Sequence, residues 1–475
     1  MKLKKNIATK PGRVNSKPPG ETGTPLDTLK SRPKGKKRFV PAVVGLNFLL
    51  LSLILPCSIA AQATETIFGL QRTIESALEA NLELKSSKEE IMAAAAQKKA
   101  QRTNFFPTFS ANYQYTRHDE ERQQIGIGVI RPEDEYSFSA SIKQPIFTGF
   151  SLSNQYRIAA LGMDVAKVRE KLKRQDIILE AKRAYFSLLR AQKLKKIAED
   201  TVTQISAQKE VANNFYQVGM TPLNDLLQAQ VELANARQEL IVARNNLENA
   251  ESNFNLLLRR PIELPVMVQD IQGYTPFRQS LAYCLAEAEK NRPEIVVAKL
   301  DLERVEKEIE LARKDYYPTV TLNGTYYRQG VEWYTDGGEG ISAPDGWDIS
   351  AVASWNFWEW GRTTYGVKEK LSRQSQAKLK MTDIVEKIRL EVKQAYLRTQ
   401  EADRAIQTVE EAIAQAKENF RINEERYKEQ VATSTDVLIA QTLLSRTMTN
   451  YYTALYEFKT SKATLYRTMG QEIME

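Results

Sequence analysis

One stretch of the chain carries a large apolar residue at every seventh position, with an alanine three residues behind most of them. The large residues are Leu226, Leu233, Leu240, Leu247 and Phe254, and the alanines are Ala229, Ala236, Ala243 and Ala250. This heptad pattern predicts a coiled-coil helix from Leu223 to Leu258, in which alanine lets a partner helix approach closely. The alternation returns 211 positions later, from Val437 to Leu465. An ordinary amphipathic helix explains one such stretch, but two in register indicate a duplicated arm.

Four shorter stretches alternate apolar and polar residues with a period of two, which predicts strands at about 108–117, 135–144, 319–328 and 347–357. Each has an aromatic-rich face and a Ser/Thr/Asn face, a pattern typical of transmembrane β-barrel strands. A soluble β-sandwich remains the alternative. In a barrel, the lipid-facing set would be Tyr113, Tyr136, Ile142, Tyr326 and Trp355. The water-facing set would be Ser110, Ser139, Thr321 and Ser350.

Two long helical patterns connect the strands to the coiled-coil arms. They run from Gly149 to Gln217 and from Arg362 to Glu429 without an interior proline, and each spans on the order of 100 Å. The predicted organisation is a leader (1–63), a first repeat (64–260), a linker (261–276), a second repeat (277–470) and a tail (471–475). Each repeat contains one long helical hairpin, with its tip at about 218–223 in the first and 430–435 in the second.

The positive charge of the chain is concentrated in its leader. Residues 1–63 hold 12 Lys/Arg and two acidic residues, so the overall charge of +8 leaves 55 − 57 = −2 for the remainder. A folded part without excess positive charge is not expected to bind nucleic acid. An apolar run from Phe39 to Leu55, followed by Ala61-Gln62-Ala63, predicts a signal peptide and a mature start near Thr64. A transmembrane anchor, or a lipoprotein modified at Cys57, is the alternative.

Candidate catalytic chemistry is sparse. The chain has a single histidine, His118, and after loss of the leader Cys284 is its remaining cysteine. It has no P-loop, no G-x-S-x-G and no zinc-ligand spacing. We therefore expect a protein that is not an enzyme and that uses no cofactor or metal.

Short motifs at the element boundaries give the chain a resemblance to a known family. They are Asn104-Phe-Phe-Pro-Thr-Phe-Ser110 and Tyr316-Tyr-Pro-Thr-Val320 before strands, and Gln144-Pro-Ile-Phe-Thr-Gly149 after one. With the tips Phe215–Pro222 and Tyr427–Asp436, their order and duplication resemble the TolC family of outer-membrane efflux proteins. The fold implied is mainly α, with a transmembrane β-barrel contribution. A homotrimer would form a twelve-stranded barrel in outer-membrane lipid, continued into the periplasm by an α-helical barrel.

The resemblance also implies a function, partners and site residues. The function is export through a channel-tunnel, as the outer component of a tripartite efflux or type I secretion system with a periplasmic adaptor and an inner-membrane pump. The adaptor would dock on the tips, at Val218, Gly219, Met220 and Thr221 and at Val431, Ala432 and Thr433. The second tip, Gln430 to Thr433, has no glycine, which leaves its turn geometry open. A secreted periplasmic coiled-coil protein, structural or adaptor, without a conduit is the rival hypothesis.

In family members of the prototype kind, the periplasmic aperture is narrowed by two acidic residues three positions apart on the second return helix. The matching positions here are Asp436 and Ile439, so the first acid is kept and the second position is apolar. The resemblance therefore implies an aperture with one ring of carboxylates. The alternative is that Asp436 is a helix-start acid favoured by the macrodipole, with Thr435 or Ser434 as the capping residue.

Overall fold

A computed structural model describes residues 67–271 and 273–473 of the chain. The chain divides into two units, residues 1–62 and 63–475, and every described residue belongs to the second. The predicted signal peptide and its cleavage after Ala63 lie outside the described residues. Among the residues that are described, no helix combines the length and the apolar composition needed to cross a membrane.

The order of elements repeats once along the chain. The first repeat holds α1 (Leu70–Ala80), α2 (Leu82–Thr103), β1 (Thr108–Arg117), β2 (Arg122–Gln124), β3 (Gly128–Arg131), β4 (Asp134–Thr148), α3 (Ser151–Gln217) and α4 (Leu223–Leu257). The second repeat holds α5 (Leu281–Asn291), α6 (Pro293–Ala312), β5 (Thr319–Gly330), β6 (Asp345–Ser354), α7 (Arg362–Lys428) and α8 (Ser434–Thr468). A short 3-10 turn, Arg313–Tyr316, links α6 to β5. The predicted duplication of a β-hairpin and a long helical hairpin is thereby confirmed.

The predicted coiled-coil seams lie where the helices pack. On α4, Leu226, Leu233 and Phe254 are buried, and Val437 and Leu465 are buried on α8. The first core cluster joins α1, α3 and α4 around Phe254. A second cluster lies between α5, α7 and α8. A third joins the α3–α4 hairpin to α8, so the two long hairpins share one packed interface.

The sheet has the antiparallel order β1-β4-β5-β6, and its register separates the two predicted faces. One row pairs Phe109, Ile142, Gly324 and Ile349 in succession. The next row pairs Ser110, Ser141, Thr325 and Asp348, and the hydroxyl oxygens of Ser110 and Ser141 lie 2.7 Å apart. Because side chains alternate across a strand, neighbouring rows occupy opposite faces. One face is therefore apolar and the other polar, and the edges of β1 and β6 are unpaired within the described chain.

Three strands differ in length from the prediction, and of these β5 runs two residues further, to Gly330. β4 extends to Thr148 because it continues to pair with β5 after its pairing with β1 ends at Lys143, and it passes Pro145 through a register shift. β6 pairs with β5 alone and ends at Ser354, so the prediction that Trp355 lies within this strand was wrong. The small hairpin of β2 and β3 lies in a segment where the sequence predicted only a polar loop.

Candidate functional site

The first tip, between α3 and α4, is a Schellman turn. Gly219 has a φ of 75°, and its N–H donates to the carbonyl of Tyr216 at 3.0 Å. The N–H of Met220 donates to the carbonyl of Phe215 at 2.8 Å. These two bonds pair carbonyls that the helix end would otherwise leave without a partner. A left-handed residue after the helix is why glycine stands there.

The second tip, between α7 and α8, has the same turn without glycine. Gln430 has a φ of 61°, and its N–H donates to the carbonyl of Tyr427 at 3.0 Å. The N–H of Val431 donates to the carbonyl of Arg426 at 2.8 Å. Gln430 is therefore the counterpart of Gly219. The sequence comparison set Gln430 of the second tip against Val218 of the first. In the structure Gln430 takes the place of Gly219, so the two tips align one residue further along.

The two tips lie side by side and contact each other. The rings of Phe215 and Tyr427 are 5.4 Å apart, and the amide of Gln430 lies 3.7 Å from the sulfur of Met220. Behind this contact, the Thr435 hydroxyl donates to the Gln228 side chain at 2.8 Å. Thr221 and Ala432 are half-buried and Thr433 is exposed. The tips thus present one joint apolar surface, whose exposed members are Val218 (67%), Met220 (50%) and Val431 (66%).

Asp436 forms a capping box with Thr433 at the start of α8. The Thr433 N–H donates to Asp436 Oδ2 at 2.9 Å, and the Asp436 N–H donates to Thr433 Oγ1 at 3.2 Å. The capping residue is therefore Thr433, not Thr435 or Ser434. The hydrogen bond from the Thr433 backbone is the largest cause that holds the pKa of Asp436 below its usual value.

Asp436 and Ile439 lie on the same face of α8, as the spacing predicted. Asp436 is exposed, Ile439 is 62% exposed, and Leu443 continues the stripe at 47%. Arg446, also exposed, follows one turn later. Val437 is buried on the opposite side of the helix. The stripe therefore begins with a carboxylate and continues as apolar surface until the arginine.

The structure also shows a polar groove that the sequence did not predict. A space of about 890 Å³ lies between α3, α4 and α8, with polar lining residues that include Arg190, Glu232, Glu239, Asn246 and Arg446. The asparagines of α4 mark this groove in the sequence as a row of polar positions. Which helix lies opposite them depends on contacts between segments that are far apart in the chain. Arg446 belongs to both the groove lining and the exposed stripe of α8, so the groove continues that stripe.

An open amphipathic sheet continued by two long helical hairpins is the fold of known outer-membrane channels. The Campylobacter jejuni outer membrane channel CmeC shares it with a TM-score of 0.74 and 16% identity, over 84% of this chain and 85% of that one. Residues 73–258 and 284–471 match the family model described as outer membrane efflux protein. Since this match covers most of the chain, the protein belongs to the outer membrane efflux protein family, and the resemblance seen in the motifs is confirmed.

Two relatives show the same affiliation in sequence. The outer membrane efflux protein BepC of Brucella suis is 22% identical over 302 residues, which cover 63% of this chain and 64% of BepC. The outer membrane protein TolC of Escherichia coli is 23% identical over 294 residues, which cover 61% of this chain and 56% of TolC. The matched region thus spans less than two thirds of either relative's length.

Proposed function

We propose that this chain is the subunit of an outer-membrane channel that exports substrates received from an inner-membrane pump. The observation that carries the proposal is the sheet, which has one apolar face, one polar face and two unpaired edges. Unpaired backbone groups in hydrocarbon cost several kcal/mol each, so strands in a membrane must close into a barrel. Edge strands β1 and β6 are available to pair with neighbouring copies.

The number of copies follows from the number of strands. A barrel needs about eight strands to enclose even a filled interior, and more for an aqueous channel. Two copies of a four-stranded sheet give eight strands and three give twelve. The proposed homotrimer, which matches the family, places the apolar rows in lipid and the Ser/Thr rows around water. The long helices would then continue the channel into the periplasm.

The tips are the proposed contact with a periplasmic adaptor. Their joint surface is exposed and apolar at Val218, Met220 and Val431, although it stands at the far ends of helices with charged faces. Exposed apolar patches with a polar rim are typical of protein–protein contact sites. Because both tips have the same turn, both can present this surface to the adaptor.

The proposed aperture is formed by the exposed stripe of α8. In a trimer, three Asp436 carboxylates at the helix start would attract cations, and three Ile439 side chains would form an apolar ring one turn deeper. The capping box holds the Asp436 carboxylate at the helix N-terminus. Its pKa, lowered from a value already far below 7, leaves it charged at neutral pH. One carboxylate ring and one apolar ring therefore define the proposed pore mouth.

The test is a labelling experiment on neighbouring residues of β4. In the Cys284→Ala background, Ser139→Cys should react with a small, charged thiol reagent in outer-membrane trimers, because Ser139 belongs to the polar face. Ala140→Cys is the matched control and should react only with a lipid-soluble reagent. The trimers should migrate as a heat-modifiable band. A monomer in the soluble fraction, or equal labelling at both positions, would contradict the proposal and favour a coiled-coil protein without a conduit.

A further inference from the structure

Four strand ends, each followed or preceded by a helix, lie at the same end of the sheet. β1 and β5 begin there, and β4 and β6 end there. The junctions contact each other: Gln144 donates to the carbonyl of Phe105 at 3.1 Å, and the rings of Phe147 and Tyr317 are 6.3 Å apart. We call these four segments, 96–107, 144–158, 311–318 and 355–368, the junction collar.

The junction collar exposes an unusual amount of aromatic surface. Trp358 and Trp360 are 68% and 85% exposed, Phe357 is 78% exposed, and Phe106 is 57% exposed. The ring centroids of Trp358 and Trp360 lie 5.6 Å apart in an edge-to-face arrangement. Tryptophan is enriched where a bilayer meets water, because its ring is apolar and its N–H is polar. The exposed aromatic residues therefore indicate the level of a membrane interface.

Basic residues outnumber acidic residues in the segments at this end of the sheet. Residues 96–107, 144–158, 311–318 and 355–368 contain eight Lys/Arg and two acidic residues. Both acids already have a partner, since Asp315 pairs with Lys314 at 3.2 Å and Glu359 with Arg362 at 3.7 Å. Lys99, Arg102 and Arg157 are exposed. They lie within about 10 Å of the strand ends along their helices, which is close to the thickness of one headgroup layer, about 5–8 Å.

The opposite end of the sheet has the reverse charge. Its two loops, residues 118–133 and 331–345, together contain eight acidic residues and two Lys/Arg. A basic excess is thus confined to the end from which the long helices depart. Because surface charge attracts counter-charge within about a Debye length, the two ends face different environments.

From this distribution we infer that the junction collar binds the headgroups of anionic phospholipids in the periplasm-facing leaflet. The inference rests on the proposed function, which places the sheet in the outer membrane. The aromatic rings lie at the level where acyl chains end, and Lys99, Arg102 and Arg157 reach the phosphates beyond it. Clustered Lys and Arg beside a membrane-spanning element recognise anionic lipid in this way.

The test uses fluorescence of the collar tryptophans in reconstituted trimers. The chain has five tryptophans, and Trp333→Phe with Trp347→Phe leaves Trp355, Trp358 and Trp360 as emitters. The protein is placed in phosphatidylcholine bilayers that contain a minority of phosphatidylglycerol, with one lipid or the other brominated. The relative binding constant of each lipid is obtained from its quenching of the tryptophan fluorescence. This constant should be at least about threefold higher for phosphatidylglycerol than for phosphatidylcholine.

Charge removal identifies the residues responsible. In the triple variant Lys99→Gln, Arg102→Gln, Arg157→Gln, the two brominated lipids should quench the fluorescence equally. The matched control is Lys393→Gln, Arg398→Gln, Lys417→Gln, which removes three exposed charges from α7 at least about 45 Å away, and it should keep the preference. Equal quenching in the unmutated collar, or an unchanged preference in the triple variant, would overturn the inference while the channel proposal stands. If neither brominated lipid quenches the tryptophan fluorescence, wherever the bromine lies along the acyl chain, both the lipid inference and the channel proposal are overturned.

Discussion

The two repeats follow one backbone plan but place different residues at its most demanding positions. At the strand-to-helix junction both have glycine, yet a Cβ on Gly149 would collide with the Lys314 carbonyl, whereas one on Gly361 would meet only the Tyr365 ring at 3.2 Å. At the tip turn, Gly219 corresponds to Gln430. At the start of the return helix, Pro222 corresponds to Thr433.

The difference shows which positions are fixed by backbone geometry and which by side chains. A left-handed turn tolerates glutamine at a cost of about 1–2 kcal/mol, so the second tip keeps the turn without glycine. Pro222 has neither an N–H nor a hydroxyl, so Asp225 cannot form the capping box that Asp436 forms. The two equivalent carboxylates therefore differ. Asp436 is hydrogen-bonded to Thr433, whereas Pro222 offers Asp225 no such partner.

The largest expected effect is at the strand-to-helix junctions. Gly149→Ala combines a left-handed backbone with a backbone collision, so it should cost about 3 kcal/mol or more and abolish heat-resistant trimers. Gly361→Ala, the matched control, should cost about 1 kcal/mol. The temperature at which trimers dissociate in detergent is the measurement. Equal losses in the two variants would show that the contact with Lys314 does not distinguish the repeats.

The next effect is at the return helices. Thr433→Ala removes the cap of α8 and should destabilise its first turn by about 1 kcal/mol, which corresponds to about fivefold faster amide exchange there. Thr442→Ala is the control, because the Thr442 hydroxyl bonds only to the Leu438 carbonyl of its own helix. Hydrogen exchange with mass spectrometry compares the two. Unchanged protection after Thr433→Ala would mean that packing against α3, rather than the cap, holds the second tip.

Exchanging the turn residues should have a smaller effect of opposite sign in the two repeats. Gln430→Gly relieves the left-handed strain but loses backbone entropy in folding, so it should stabilise the tip by about 0.5 kcal/mol. Gly219→Gln should destabilise the first tip by about as much. Exchange rates of the tip amides measure both. A destabilising Gln430→Gly would show that the contact of Gln430 with Met220 outweighs the strain.

The smallest expected effect is a difference between the two tips in how their stability responds to acid. Because hydrogen bonds from Thr433 lower the pKa of Asp436 in the folded protein, its contribution to stability is complete above the ordinary aspartate pKa of about 3.9 and is lost as the pH falls through the lower folded value. Acid should therefore loosen the second tip more than the first. Exchange rates corrected for intrinsic pH dependence test this, and Asp436→Asn, which removes the titrating carboxylate, should abolish the difference.

The parts that could be predicted are those with a local signal. Heptads, strand alternation and glycine or proline breaks gave both long hairpins, because each depends on residues close in sequence. The end of β6 and the length of β4 depend on how far β5 continues to pair with them, and periodicity carries no information about that extent. Thr433 was missed as the cap because the exact helix start decides between Thr433, Ser434 and Thr435, and the polar groove joins α4 to a helix 200 residues away.

Single-channel recording of purified trimers in planar bilayers shows whether this chain forms a conduit. We predict discrete conductance steps with cation selectivity, weakened by Asp436→Asn. Ile439→Asp should add a second carboxylate ring and increase block by divalent cations. If Asp436→Asn leaves selectivity unchanged, Asp436 serves only as the helix-start acid of the capping box with Thr433. Heat-modifiable trimers that insert into the bilayer and conduct no ions would contradict the claim that this chain forms a conduit.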